Sequence, residues 1–449
     1  MRNSQGIIVP DGDNGRPIVA AGGLYAPTIR FRNGTFYIVC TNVHHGAKDP
    51  KPPPNFIIST QDIWSDQWSD PVHFNFNGID PSLFWDDDGR VYIQGSSGPG
   101  PNTKINQFEI DLKTGQKLSK EKRIWDGTGA TWPEGPHMYK RDEWYYLLVS
   151  EGGCWEEHMI TVARSKNIWG PYESFSLNPI LTAFGEGRYI QHTGHADIFE
   201  DVDGRIWAVC LAVRKDGNGR HNLGRETFLT SAAWPEGGWP RIDSVESNPA
   251  GVSSTKSSLT TRPMKDYLYI RDPDLVKYQI VNEARKITLM TSPVDMTHKN
   301  DSPTFVGKRQ RHLEGMTTVT MFFGSVAWEG TTKAGLASYK DEYRFLRIFY
   351  DASEASVVFE VYSRAKNIHT TSKHKVAPKQ TLGLQIQYTE QEYRATYLDD
   401  SESSAGWKLA GTVDTADVTN LDFTGPVNGV FALSEGKAFD IEFRDLVVD

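Results

Sequence analysis

Cysteine is scarce: three residues, Cys40, Cys154 and Cys210, with no CxxC spacing and no even count to pair. A disulfide framework and a zinc ribbon are both excluded as the organising principle. No apolar run approaches the roughly 18 residues that a membrane helix needs. Excess positive charge is lacking too. Lys and Arg total 48 against 57 Asp and Glu, giving a formal charge of −9, a poor match for a chain that grips nucleic acid through phosphates. Stretches of helical period are few. Met1-Arg2-Asn3-Ser4-Gln5-Gly6 has no apolar core of a secretory signal, so the chain as written is expected in the cytoplasm. What is abundant is glycine (40), tryptophan (13), tyrosine (18) and phenylalanine (21), in short alternating runs that predict a mostly β protein. At roughly 150 residues per domain, 449 residues predict two or three compact units.

An internal repeat organises the first half. Ala26-Pro27-Thr28-Ile29 leads to Phe36-Tyr37, Asp80-Pro81-Ser82-Leu83 to Val91-Tyr92, Glu134-Gly135-Pro136-His137 to Trp144-Tyr145, and His195-Ala196-Asp197-Ile198 to Ile206-Trp207. Counted from Ala26, Asp80, Glu134 and His195, the spacings are 54, 54 and 61. Gly34, Gly89 and Gly204 stand at matching turns, where hairpins favour residues that tolerate φ > 0. Hairpins at such a period predict propeller blades. The innermost strand of each blade lines a shared channel, so Asp80 and Glu134 become neighbours although 54 residues apart.

After about residue 243 the pattern changes. Ser244 to Thr261 reads as an irregular connection. Runs such as Thr318 to Phe323, Arg344 to Phe349, Val357 to Tyr362, Leu382 to Ile386 and Ile441 to Phe443 predict a β-sandwich. The expected boundaries are a propeller over 1–260, a linker over 261–301 and a sandwich over 302–449.

Cleaving a glycosidic bond takes one carboxylic acid to protonate the leaving oxygen and one carboxylate to activate water or attack. Glu134 has Trp132 and Pro133 just before it, apolar neighbours that favour a protonated glutamate, and an aromatic ring also suits a sugar face. A strand-capping glutamate is the plainer reading. Asp80 either discourages ionisation of Glu134 by like charge or accepts backbone N–H groups at its own strand start. Asp86-Asp87-Asp88-Gly89 lacks the later ligands of a calcium loop and reads as a solvated hairpin turn. His195 reads as a hydrogen-bonded histidine on the axis or as a metal ligand, and His192 has less support. Arg225 either binds hydroxyls or pairs with Glu226 on the surface.

These segments resemble glycoside hydrolase family 43, in particular its two-domain β-xylosidases and α-L-arabinofuranosidases. The resemblance rests on Tyr25-Ala26-Pro27-Thr28-Ile29-Arg30, Gly78-Ile79-Asp80-Pro81-Ser82-Leu83-Phe84, Glu134-Gly135-Pro136-His137, Gly194-His195-Ala196-Asp197 and Leu223-Gly224-Arg225-Glu226-Thr227-Phe228. Phe305 to Gln310 and Gly335 to Tyr339 extend it into an accessory sandwich. It implies a five-bladed propeller and hydrolysis with inversion of terminal xylosyl or arabinofuranosyl residues from hemicellulose-derived glycans. By motif, Glu134 is implied as general acid and Asp80 as the residue that tunes and orients it. Arg225 is implied as a sugar contact, with Trp132 as a stacking platform. His195 is implied at the channel, where some members hold a structural calcium ion or water; no cofactor is required.

The expected partner is a xylo-oligosaccharide or arabinosylated glycan, with no nucleic acid and no membrane. The family's general base is an aspartate on the first blade. Only four repeats are visible here, so the propeller is expected to be incomplete at its N-terminus. Asp11 and Asp13 are weak candidates for a substitute base. Two explanations follow: a missing first exon, which would also carry a signal peptide and make the protein secreted, or a short form that binds carbohydrate without turnover. A propeller that binds a protein partner is a third reading.

Overall fold

A computed structural model describes residues 7–8, 20–21, 23–43, 54–65, 67–98, 100–248, 266–298, 301–324, 328, 330–377, 380–400, 406–419 and 422–449. The chain divides into two compact units, one of residues 22–214 and 226–253, the other of 1–21, 215–225 and 254–449.

The first unit is a β-propeller of four described blades. Gly23–Arg32, Thr35–Val43, Asn55–Thr60 and Val72–Phe74 form the first antiparallel sheet. Ile79–Trp85, Val91–Ser97, Lys104–Glu109 and Lys122–Trp125 form the second. Glu134–Arg141, Trp144–Glu151, Met159–Ser165 and Glu173–Ser174 form the third, with Leu181–Thr182 also on its third strand. Ile190–Glu200, Ile206–Arg214, Glu226–Ala233 and Arg241–Ile242 form the fourth. The repeat legible in the sequence is therefore a repeat of sheets, and its turn residues Gly34, Gly89 and Gly204 do adopt φ of 76°, 84° and 78°.

Apolar side chains weld successive sheets face to face. Val39, Ile57 and Phe74 meet Leu83, Ile93 and Phe108 between the first and second. Phe84, Tyr92 and Ile105 meet Met138, Tyr145 and Leu147 between the second and third. Tyr146, Leu148 and Ile160 meet Ile198, Ala208 and Cys210 between the third and fourth. A second series of contacts is polar. Thr41 donates to Asn55 (2.6 Å), which donates to the carbonyls of Phe76 and Gly78 at the approach to the second sheet. Ser96 donates to the carbonyl of Pro133 (2.8 Å), at the approach to the third. Ser150 accepts the backbone N–H of His195 (2.5 Å), in the fourth.

Every innermost strand carries a β-bulge at one place. Pairing skips two residues after Tyr25, Ile79, Glu134 and Gly194 and resumes at Thr28, Ser82, His137 and Asp197. The first skipped residue is left-handed in each sheet: Ala26 (φ 42°), Asp80 (54°), Gly135 (54°) and His195 (47°). This corrects the repeat register read from the sequence. Glu134 does not share the place of Asp80; Gly135 does, and Glu134 matches Tyr25 and Ile79. The cause is one more residue between the second and third bulges than between the first and second, which an anchor on the carboxylates hides.

The second unit is a sandwich of two seven-stranded antiparallel sheets. One runs, in spatial order, Leu268–Tyr269, Phe305–Arg309, Val427–Leu433, Lys333–Asp341, Arg344–Asp351, Ser356–Ser363 and Ile368–Lys375. The other runs Tyr278–Val281, Lys286–Met290, Asp440–Val448, Gly315–Phe322, Thr381–Tyr388, Glu392–Asp399 and Lys408–Asp414. Val306, Leu336, Ile348 and Phe359 from one face pack with Leu289, Met321, Leu384 and Phe443 from the other. Leu268–Tyr269, Tyr278–Val281 and Lys286–Met290 lie within the stretch expected as a linker and belong to these sheets. Each is five residues or fewer, too short to show alternation.

Candidate active site

The four bulges place Asp80, Glu134 and His195 around one peptide. Asp80 is buried, and its Oδ2 accepts the backbone N–H of Gly135 at 3.2 Å. The acceptor role foreseen for Asp80 is thus real, but its donor lies in the next sheet rather than at its own strand start. Glu134 immediately precedes that peptide and is half-buried. From the other side comes the His195 ring: a Cβ placed on Gly135 would sit 2.8–3.0 Å from its atoms. Gly135 is therefore glycine for two reasons, its left-handed φ and the ring against its Cα. Trp132, just upstream, is half-buried and left-handed (φ 56°). Its N–H donates to the carbonyl of Pro101 at 2.9 Å, and its ring lies against Gly153.

A charged cluster sits further along the same strands, from residues given no role by the sequence reading. Arg30 of the first sheet contacts both oxygens of Asp197 in the fourth, at 2.5 and 3.2 Å. Tyr139 of the third sheet donates to Asp197 at 2.6 Å and accepts the N–H of Ile198. Arg30 also donates to Nδ1 of His137 at 3.1 Å. Burial pushes the His137 imidazole down to about 3, against Asp197 and with Arg30 and His195, so it is neutral at ordinary pH. Burial raises the Asp197 carboxyl, but His137, Arg30 and the Tyr139 hydroxyl lower it further, to about 2. The signal for this cluster was the recurrence of Thr28, Ser82, His137 and Asp197 at one repeat position, with polar residues where an inner strand should be apolar.

Arg225 is placed in the sandwich unit, where its guanidinium lies 4.2 Å over the Phe423 ring. The pairing of Arg225 with Glu226 foreseen from the sequence gives way to another: Glu226 is held by Arg214 at 2.8 and 2.9 Å, because the two side chains of neighbouring strands face each other across the sheet. Asp86 is not a solvated turn residue. It is buried, bound by Lys140 and Tyr145 at 2.8 Å each, while Asp88 pairs with Arg90 at the exposed tip. Asp11 and Asp13 lie outside the described residues.

Calcium takes six to eight oxygen ligands. Among the described residues no three His, Cys, Asp or Glu side chains are grouped to hold a metal ion. Among the described residues no helix is long and apolar enough to cross a membrane.

Comparison with known proteins agrees with this architecture. Residues 9–240 match the family model of glycosyl hydrolases family 43, and residues 261–443 match that of the beta xylosidase C-terminal concanavalin A-like domain. The non-reducing end alpha-L-arabinofuranosidase BoGH43B of Bacteroides ovatus is 30% identical over 93% of this chain and 80% of its own length. The xylosidase/arabinosidase 43B of Humicola insolens is 33% identical over 74% of this chain and 67% of its own. Among solved structures, the GH43B of a Bacteroides ovatus xyloglucan locus superposes with a TM-score of 0.82 at 26% identity, over 99% of this chain and 88% of that one. BlXynB of Bacillus licheniformis gives 0.80 at 26% identity, over 96% and 87%. With the four-bladed inner row, the sandwich and these matches in agreement, the chain belongs to the glycosyl hydrolases of family 43, whose members related to it are glycosidases named as xylosidases and arabinofuranosidases.

Proposed function

We propose that this protein is an exo-acting, inverting glycoside hydrolase that releases terminal xylosyl or arabinofuranosyl residues from xylo-oligosaccharides or arabinosylated glycans. The observation that carries the reading is the Asp80 carboxylate bound to the peptide that follows Glu134. In this reading Glu134 is the general acid. Its strand is pinned by Asp80 on one side and the His195 ring on the other, so its carboxyl meets the glycosidic oxygen in a fixed pose. Asp80, by like charge, favours the protonated acid. Trp132 offers a ring face to the sugar.

Water activation is the weak step. The four described bulge positions hold Ala26, Asp80, Gly135 and His195, so Asp80 is the one carboxylate among them, and it is already committed to Gly135. An inverting enzyme needs a base across the sugar at about 6.5–9.5 Å from the acid, a role for which Asp11 and Asp13 are the candidates. That observation favours a second reading, a propeller that binds the glycan and turns it over slowly or not at all.

One assay separates the two. Aryl β-xyloside and aryl α-arabinofuranoside hydrolysis is followed by proton NMR to read rate and product anomer, alongside calorimetry with xylo-oligosaccharides. Turnover that first gives the inverted sugar supports the enzyme, and saturable binding with no turnover supports the binding module. A retained anomer overturns the mechanism, and neither binding nor turnover overturns both readings.

A further inference from the structure

Ser150 sits directly opposite Glu134, as its pairing partner on the neighbouring strand. Its hydroxyl oxygen accepts the N–H of His195 at 2.5 Å and lies 3.2 Å from Nε2 of His158. His158 Nδ1 is 3.0 Å from the carbonyl of His192. A carbonyl only accepts, so Nδ1 carries the proton; in the neutral ring Nε2 is then the acceptor and the Ser150 hydroxyl donates to it. The tautomer is therefore fixed at both ends. His192, like His195, is left-handed (φ 57° and 47°), and non-glycine residues hold that conformation only where their surroundings impose it. The His158 ring also lies flat against Gly194, where a Cβ would approach its atoms to 2.3–2.4 Å. Ser150, His158 and His192 are all buried.

We infer that Ser150 and His158 are positioning residues for the acid: they hold His192 and His195 in their left-handed conformations, so that the His195 ring clamps Gly135 and fixes Glu134. This rests on the reading of Glu134 as general acid. The corresponding hydroxyls of the first two sheets, Thr41 and Ser96, reach carbonyl groups, Thr41 by way of Asn55. Among the described residues, it is in the third sheet that the hydroxyl accepts a backbone N–H and donates to an imidazole, and that is the strand facing Glu134.

The test uses the full chain and paired glycosides of the sugar that it turns over, one releasing dinitrophenolate and one releasing an alcohol. Departure of an alcohol needs the proton and departure of dinitrophenolate does not. Ser150→Ala and His158→Leu are expected to lower kcat on the alcohol glycoside about tenfold or more, a part of what an acid supplies, with KM and the dinitrophenyl rate little changed. Ser150→Thr restores the hydroxyl and is expected to recover the rate. Thr41→Val, which breaks the counterpart in the first sheet, controls for general loosening and should not alter the ratio between the two substrates. Loss of the same proportion on both substrates in Ser150→Ala, while Glu134→Gln shows the split, overturns the inference. If Glu134→Gln shows no split, the assignment of the acid fails instead.

Imidazole ¹⁵N spectra of the intact protein judge the network without turnover. They should show His158 protonated at Nδ1, with Nε2 and the His195 amide shifting in Ser150→Ala. The opposite tautomer, or unmoved signals, also overturns the inference.

Discussion

Single residues here carry strict demands that a change of one atom would expose. Gly194 has the His158 ring where its Cβ would be, so Gly194→Ala is expected to cost about 1–3 kcal/mol by overpacking, read as a lower urea midpoint with an unchanged slope. An unchanged midpoint would mean that the ring moves freely. His137 gives a dependence on pH. Its folded value of about 3 lies below the ordinary value of about 6.5, so the unfolded chain binds the extra proton between those limits. Its contribution is complete above about pH 6.5 and is lost as the pH falls toward 3. Asp197, at about 2 when folded against about 3.9 ordinarily, adds a loss below pH 4 with the same sign. His137→Asn is expected to flatten the fall in stability between pH 6.5 and 4, a difference on the order of a few kcal/mol across the window, measured by urea unfolding at stepped pH. A variant as acid-sensitive as the parent would remove His137 from the account. Glu134, Asp80 and His195 could be picked from the sequence because carboxylates and histidines at repeat positions stand out. Ser150 and His158 could not: a serine at a strand end and a histidine in a loop are common, and only the fold joins them.

Among elements, the instructive comparison is between innermost strands. The repeat was legible because turn glycines and paired aromatics recur in each sheet. The register was one residue off at Glu134 because one more residue separates the second and third bulges than the first and second, and pairing is invisible in a linear string. The short strands from Leu268 to Met290 were missed for a related reason. Two to five residues show no alternation, and their membership is decided by partners such as Val306–Gly307 and Ile441–Arg444, far along the chain. The polar ties between neighbouring sheets predict an effect of their own. Ser96→Ala leaves the Pro133 carbonyl without its donor at a buried position. It should cost about 1–3 kcal/mol, seen as a lower thermal midpoint, and retention of the parent midpoint would show that water replaces the hydroxyl.

At the scale of the whole molecule, each unit has its own core, and in the propeller the apolar packing runs from first to second to third to fourth sheet. Arg30 and Asp197 reach from the fourth sheet back to the first. Asp197→Asn would leave Arg30 as an uncompensated, largely buried charge, at a cost of about 3–5 kcal/mol. Replacing both by apolar residues (Arg30→Met with Asp197→Leu) should cost less than the single change, since no charge is stranded. Urea unfolding of both variants decides it, and a double variant weaker than the single one would show that the pair does more than neutralise charge.

Crowding at the channel mouth has one more outcome. Side chains from the second and fourth sheets both reach the bulge of the third, and no room is left there for a third side chain. In the proposed reading the third sheet contributes through the residue one step earlier, Glu134, which pairs with Ser150. A new carboxylate therefore cannot be grafted at Gly135 itself, where a Cβ would already meet the His195 ring at 2.8–3.0 Å.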